Sequence, residues 1–176
     1  MKRSLLAAAT GLGIAALLAP AASAQVYGGV GYTAFQANVN GDDITVGAVM
    51  GRVGFKTNPL LGVEGEFSIG VQDDNFDVLG TQVSAGLDNE YGVFATGWLP
   101  IPLVGDLFGR VGYAHLSVNA DAGGLGTFSQ DGDGLAYGAG FQLSNIPFTK
   151  LRVEYTKYEP DNGDVDSLSI SALLQF

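Results

Sequence analysis

The sequence has no cysteine, one histidine, one tryptophan and two methionines, and it is short of positive charge, with 8 Lys and Arg against 18 Asp and Glu in 176 residues. Without cysteine there are neither disulfides nor thiolate metal sites. A formal net charge of −10 opposes binding to nucleic acid, because cations on the protein carry that affinity. Beyond residue 24 no stretch reaches about 18 consecutive apolar residues, so no spanning helix is expected. The single histidine, His115, leaves no imidazole cluster for a metal, and we expect neither a metal nor a cofactor.

Apolar residues are nonetheless plentiful: 47% of the chain is hydrophobic and 27 residues are glycine. The first 24 residues read as an export signal. Lys2 and Arg3 form a basic start, Leu5 to Leu18 an apolar segment, and Ala22-Ser23-Ala24 a small-residue cleavage site before Gln25. The expected organisation is therefore residues 1–24 as signal peptide and 25–176 as one domain. Loss of Lys2 and Arg3 leaves 6 basic residues against 18 acidic ones. An exported, apolar, glycine-rich chain without a membrane helix fits an all-β chain that crosses a bilayer by closing on itself.

The clearest pattern runs from Gly47 to Val71. Val49, Gly51, Val53 and Phe55 alternate with Ala48, Met50, Arg52, Gly54 and Lys56. After Thr57-Asn58-Pro59-Leu60, the alternation resumes with Leu61, Val63, Gly65, Phe67 and Ile69 against Gly62, Glu64, Glu66 and Ser68. This is a hairpin with one apolar face and one face carrying Arg, Lys and two Glu. Six more runs of this kind predict strands near 26–37, 83–98, 107–118, 135–144, 151–158 and 165–176. In the fourth strand of the chain, Leu87, Tyr91, Val93 and Ala95 are expected to share one face, with Glu90, Phe94 and Thr96 on the other.

Together these make an all-β, eight-stranded antiparallel up-and-down barrel. Every proline after the signal is expected between strands, as an uninterrupted ladder requires. Three connections read as turns (57–60, 99–106, 145–150). Four are longer and acidic (38–43, 72–81, 119–133, 159–166) and hold 12 of the 18 acids. That rhythm suits a transmembrane barrel with short turns on one side and loops on the other.

Turned inward, as in a soluble lipocalin-like barrel, the apolar faces would leave Gly54, Gly62, Gly92, Gly138 and Gly140 on the solvated surface. Turned outward, they form a continuous lipid-facing band, and glycine and serine fit the narrow interior of eight strands. Here the chain resembles the small outer-membrane β-barrels of the OmpA/OmpX type, the porin-like outer membrane protein β-barrel domain. The resemblance spans 25–176 and rests on VYGGVGYTAF, GRVGFKTNPLLGVEGEF, FGRVGYAH, LRVEY and the terminal SLSISALLQF. It implies the outer membrane of a Gram-negative cell envelope, with Phe176 as the signal read by the barrel-assembly machinery. It also implies outer-membrane lipids and lipopolysaccharide as surroundings.

The inward parity holds Arg52, Glu64, Glu66, Glu90, Arg110, Arg152 and Glu154. Isolated charges in a narrow lumen are costly, so an ion-pair cluster is expected. Arg52 should meet Glu64 or Glu66 across the hairpin, and Arg152–Glu154 should face Arg110 and Glu90. Such a cluster can hold the barrel shut or gate a narrow porin-like channel for ions or small solutes. His115 and Ser117 share the outward parity, with Asp131 and Asp133 following across a loop. This resembles the His-x-Ser pair of lipid A deacylase barrels, but Val118 follows Ser117 where an Asn is expected, and the later Glu is missing. No enzyme is expected, a lipid A-modifying barrel being the distant alternative. Asp131-Gly132-Asp133-Gly134 and Asp161-Asn162-Gly163-Asp164 lack the order of a calcium loop. Two aromatic belts are expected: Phe55, Trp98, Phe108, Phe141 and Phe176 near the turns, and Tyr32, Phe35, Tyr113 and Tyr137 near the loops. The expected role is structural or interactive, with an extracellular partner met by the acidic loops.

Overall fold

A computed structural model describes residues 25–39, 42–78, 81–121, 127–146, 149–160 and 163–176. The expected signal peptide, residues 1–24, and the Asp161-Asn162 half of one acidic run lie outside the described residues. The strands are β1 (Gln25–Val39), β2 (Asp42–Asn58), β3 (Leu61–Gln72), β4 (Asp74–Val78), β5 (Thr81–Ile101), β6 (Gly105–Asp121), β7 (Thr127–Ile146), β8 (Thr149–Pro160) and β9 (Val165–Gln175). β4 continues the stave of β3 after a break at Asp73, and both pair with β5. The nine segments therefore make eight staves, all antiparallel, each paired with its sequence neighbour. β1 pairs with β9 and closes the barrel. Closure leaves no open edge at membrane depth, as a chain crossing lipid with strands requires.

Alternation decides the faces. Along β8, Leu151, Val153 and Tyr155 are exposed, while Arg152, Glu154, Thr156 and Tyr158 are buried. Along β9, Leu168, Ile170 and Leu174 look out and Ser167, Ser169, Ser171 and Leu173 look in. The hairpin between β2 and β3 turns at Pro59-Leu60, where Asn58 Oδ1 accepts from the amides of Leu60 (2.8 Å) and Leu61 (2.9 Å). The exterior is thus apolar and the lumen holds the charges.

The lumen is also far more aromatic than the sequence pattern suggested. At the turn end Tyr27, Trp98, Phe108 and Leu173 pack together. Toward the loop end Phe35, Leu87, Phe94, Leu116 and Tyr158 belong to a second apolar cluster. Trp98, Phe108 and Phe35 are therefore not members of the expected belts: their parity is that of Thr96, Arg110 and Thr33, which all point inward. Phe176, Tyr32, Tyr113 and Tyr137 are exposed, whereas Phe55 and Phe141 are half-buried on the outer wall. Glycines make room for the large rings. A Cβ at Gly54 would lie 2.1 Å from Cζ of Tyr27, and one at Gly112 would lie 2.7 Å from Cδ1 of Phe94.

Three further expectations need correction. Leu87 faces the lumen and not the side of Tyr91, because an irregularity between Leu87 and Asn89 shifts the register and flips its parity. Pro100 and Pro160 lie within β5 and β8, at rungs near the strand ends, where a missing amide is tolerated. The segment 119–133 is largely ladder: β6 and β7 stay in register from Gly105↔Leu143 to Asp121↔Thr127. Likewise 72–81 contains β4, and Asp42-Asp43 begin β2. Hydrogen-bonded pairing continues where the outward residues are no longer apolar, so alternation alone stops short of the strand ends.

Candidate functional site: the lumenal ion cluster

Neighbouring strands deliver the charges at one level. Arg52 on β2 sits opposite Glu66 on β3, and Gly54 sits opposite Glu64. Arg110 on β6 is flanked by Thr96 and Gly138, Glu154 on β8 by Gly140 and Ser169, and Arg152 by Gln142 and Ser171. Apart from Gln142, the flanking residues are small and leave the long side chains space to cross the barrel.

Three arginines and three glutamates interlock there. Arg52 bonds Glu66, reaches Glu154 with Nη1 at 2.9 Å, and has Nε 3.4 Å from Glu64. Arg110 donates to Glu66 at 2.7 Å and lies 2.6 Å from Glu154. Arg152 donates to Glu64 at 2.6 Å and to Gln142 Oε1 at 3.1 Å. Tyr27 OH also donates to Glu64 (2.7 Å) and Tyr158 OH to Glu66 (3.3 Å). All six charged side chains have side-chain exposures of 0–2%. With equal numbers of each sign and several partners per group, no member is left as an isolated buried charge.

Rings hold the cations from both ends. The guanidinium of Arg152 lies 4.5 Å from the Phe108 ring and 4.8 Å from that of Trp98, and that of Arg110 lies 3.9 Å from Phe94. Lys56 Nζ rests 3.7 Å over Trp98. Glu90 stands apart from the group it was expected to join. Ser68 Oγ donates to it at 2.7 Å, and among the described residues it makes no ion pair. It sits on β5 opposite Ser68 and Leu116, closer to the loop end than the arginines reach. Sequence reasoning passed over Tyr27, Trp98, Phe108, Tyr158 and Gln142. Their parity with Gly29, Thr96, Arg110 and Arg152 was the signal that could have placed them.

A second group lies on the outer wall. His115 Nδ1 is 2.8 Å from Asp133 Oδ1, and Ser117 Oγ donates to Asp131 at 2.6 Å. Asp133 and Asp131 are rungs of β7 directly opposite His115 and Ser117, and not residues reached across a loop. The ring of Tyr91 stacks on His115 at 4.8 Å. Each of the two β6 residues thus has a carboxylate of its own. Among the described residues no group of three or more acidic, histidine or cysteine side chains is placed to hold a metal ion. Phe176 is exposed, and its amide donates to Val26 O at 2.9 Å, tying the chain end to the start of β1.

With this geometry in place, residues 4–176 match the model of the outer membrane protein beta-barrel domain. The chain belongs to that family. It is an outer-membrane protein, and its barrel is the membrane-spanning domain. No curated protein matches the sequence. Solved structures with the same fold include Ail, the attachment invasion locus protein of Yersinia pestis, in complex with the heparin analogue sucrose octasulfate. It is 20% identical with a TM-score of 0.65, over 87% of this chain and 99% of that one. Neisserial surface protein A is 14% identical at a TM-score of 0.62, over 85% and 95%. OprG of Pseudomonas aeruginosa is 10% identical at 0.57, over 86% and 95%. At these identities the likeness is one of fold.

Proposed function

We propose that this outer-membrane barrel is a structural and surface-interacting element of the envelope whose lumen is held shut by its ion cluster. The observation that carries the reading is the interlocking of Arg52, Arg110 and Arg152 with Glu64, Glu66 and Glu154 between two layers of packed rings. Residues 1–24 direct export, Phe176 is read by the assembly machinery, and the acidic loop end faces out of the cell among lipopolysaccharide. Of the basic residues after the signal only Lys157 lies toward that end, and it is bridged to Asp164 at 2.8 Å. The heparin analogue bound by Ail is a polyanion. This acidic rim suits instead an extracellular partner that carries positive charge.

The test is single-channel recording with the purified protein in a planar bilayer. Insertions without current steps are expected, and reproducible steps would overturn the closed lumen. One observation favours the alternative of a narrow channel for ions or small solutes: Glu64 and Glu154 each touch three arginines, so pairs can exchange without stranding a charge. Steps altered by Glu154→Gln would select that reading. Catalysis is not assigned to the wall, since a nucleophilic serine needs an oriented base and Ser117 is engaged with Asp131. Ser117→Ala is expected to leave lipid A acylation unchanged.

A further inference from the structure

Arg52, Arg110, Lys150, Arg152 and Lys157 each have a carboxylate within 4.0 Å. Lys56 has none among the described residues, although it is only 7% exposed. Its ammonium lies 3.7 Å over the Trp98 ring, which offsets part of the charge and supplies no oxygen acceptor. Arg52 Nε and Arg152 Nε are sealed from solvent without a partner, but Lys56 Nζ is not sealed and meets water at the turn-end mouth of the lumen. Gln25 and Gly62 are its cross-strand neighbours. Gln25 Oε1 accepts from Gln175, which leaves the Gln25 amide nitrogen to donate. The charged groups acting most strongly on Lys56 are Lys150 and Asp106 at the mouth, then Arg152 and Glu64 below. Arg152 and Glu64 answer each other at 2.6 Å. Asp106 is shared among Lys150 at 4.0 Å, Gln142 at 3.2 Å and Ser144 at 3.3 Å. Two ammonium groups thus meet one carboxylate above a floor of Tyr27, Trp98, Phe108 and Leu173, and one positive charge is left over where an apolar floor screens it poorly.

We propose that the turn-end mouth binds the carboxylate of a small monoanionic organic acid, with Lys56 as the charge that holds it and Lys150 and the Gln25 amide beside it. A carboxylate brings a single charge on two oxygens. It cancels the excess and accepts from Lys56 and a flanking donor at once. Phosphate carries up to two charges and overshoots the balance. The site lies outside the ion cluster, on the turn side of the ring layer, so it is independent of whether the lumen conducts.

Trp98 is the only tryptophan, and its contact with Lys56 makes its fluorescence a reporter of the site. The test titrates the folded barrel in detergent micelles with sodium acetate, N-acetylalanine, N-acetylalanine amide and inorganic phosphate, with sodium chloride holding the ionic strength constant. Both acids should shift Trp98 emission saturably, with a midpoint of about 1 mM, the affinity of two charge-assisted hydrogen bonds. The amide and chloride should produce no saturable shift. Lys56→Met should weaken the response at least about tenfold, the weight of one such bond. It strands no partner, so the variant is expected to fold, and heat-modifiable gel migration verifies this. Lys56→Arg should retain the response, and Lys150→Gln should weaken it less than Lys56→Met. A response that fails to saturate, that chloride or the amide reproduces, or that survives Lys56→Met would overturn the site. Tighter binding of phosphate than of either acid would overturn the carboxylate as its ligand.

Discussion

The barrel carries two sets of carboxylate contacts built from the same chemistry in opposite surroundings. In the lumen, Arg52, Arg110 and Arg152 share Glu64, Glu66 and Glu154, all buried and tied to neighbours around the circumference. On the outside, the ion pair Lys157–Asp164 and the hydrogen bond between His115 and Asp133 each stand alone, with carboxylates 62% and 59% exposed. A buried member removed from its network leaves its partners desolvated and unmatched. An exposed pair returns to water with little change. Position, more than the number of pairs, therefore decides which charges the fold depends on.

Removing one lumenal carboxylate should have the largest effect. Glu64 contacts all three arginines and Tyr27, so Glu64→Gln is expected to cost about 3–5 kcal/mol in reversible urea unfolding into phospholipid. Adding Arg152→Met to that variant should recover part of the loss by restoring balance. A single variant within about 1 kcal/mol of the parent would show that the lumenal pairs behave like surface ones. Next comes the same kind of charge on the wrong face. Val153 is 50% exposed on the outer wall, one residue from fully buried Arg152, and Val153→Arg should cost about 2–4 kcal/mol near the bilayer midplane. If it were tolerated, that face would not meet lipid.

A smaller effect is expected from the packing that frames the cluster. Gly54→Ala puts a methyl 2.1 Å from the Tyr27 ring and should cost about 1–3 kcal/mol. Because Tyr27 packs edge-on to Trp98 with centroids 6.3 Å apart, near-ultraviolet circular dichroism should change with it. An unchanged spectrum would mean that the ring has room to move. Lys157→Ala closes the series: the unfolding midpoint should not shift measurably, and a large shift would put the exterior pair on the same footing as the lumenal ones.

Much of the fold was readable from residue order. The alternation from Val49 to Ile69 places Val53, Val63 and Phe67 outside and Arg52, Glu64 and Glu66 inside, and the same rule works along β8 and β9. It failed where the period is interrupted or ceases to matter. The irregularity beside Leu87 reverses parity, and a single glycine there, Gly86, is too common along this chain to announce it. The ladder between Asn119 and Asp133 extends past the apolar residues. Trp98 and Phe108 were assigned to a lipid belt from their position near the turns, although their parity pointed into the lumen.

What the sequence determined by itself is therefore local: which residues share a face, where the chain turns, and that one face suits lipid. These follow from the two-residue period of a strand, a property of each segment alone. Only closure decided who meets whom. Arg52 reaches Glu154 across 102 residues of chain, Arg110 spans from Glu66 to Glu154, and Glu90 is left to Ser68. Those contacts depend on the register between strands and on how far each side chain reaches across a closed lumen, and no periodicity within one strand encodes either.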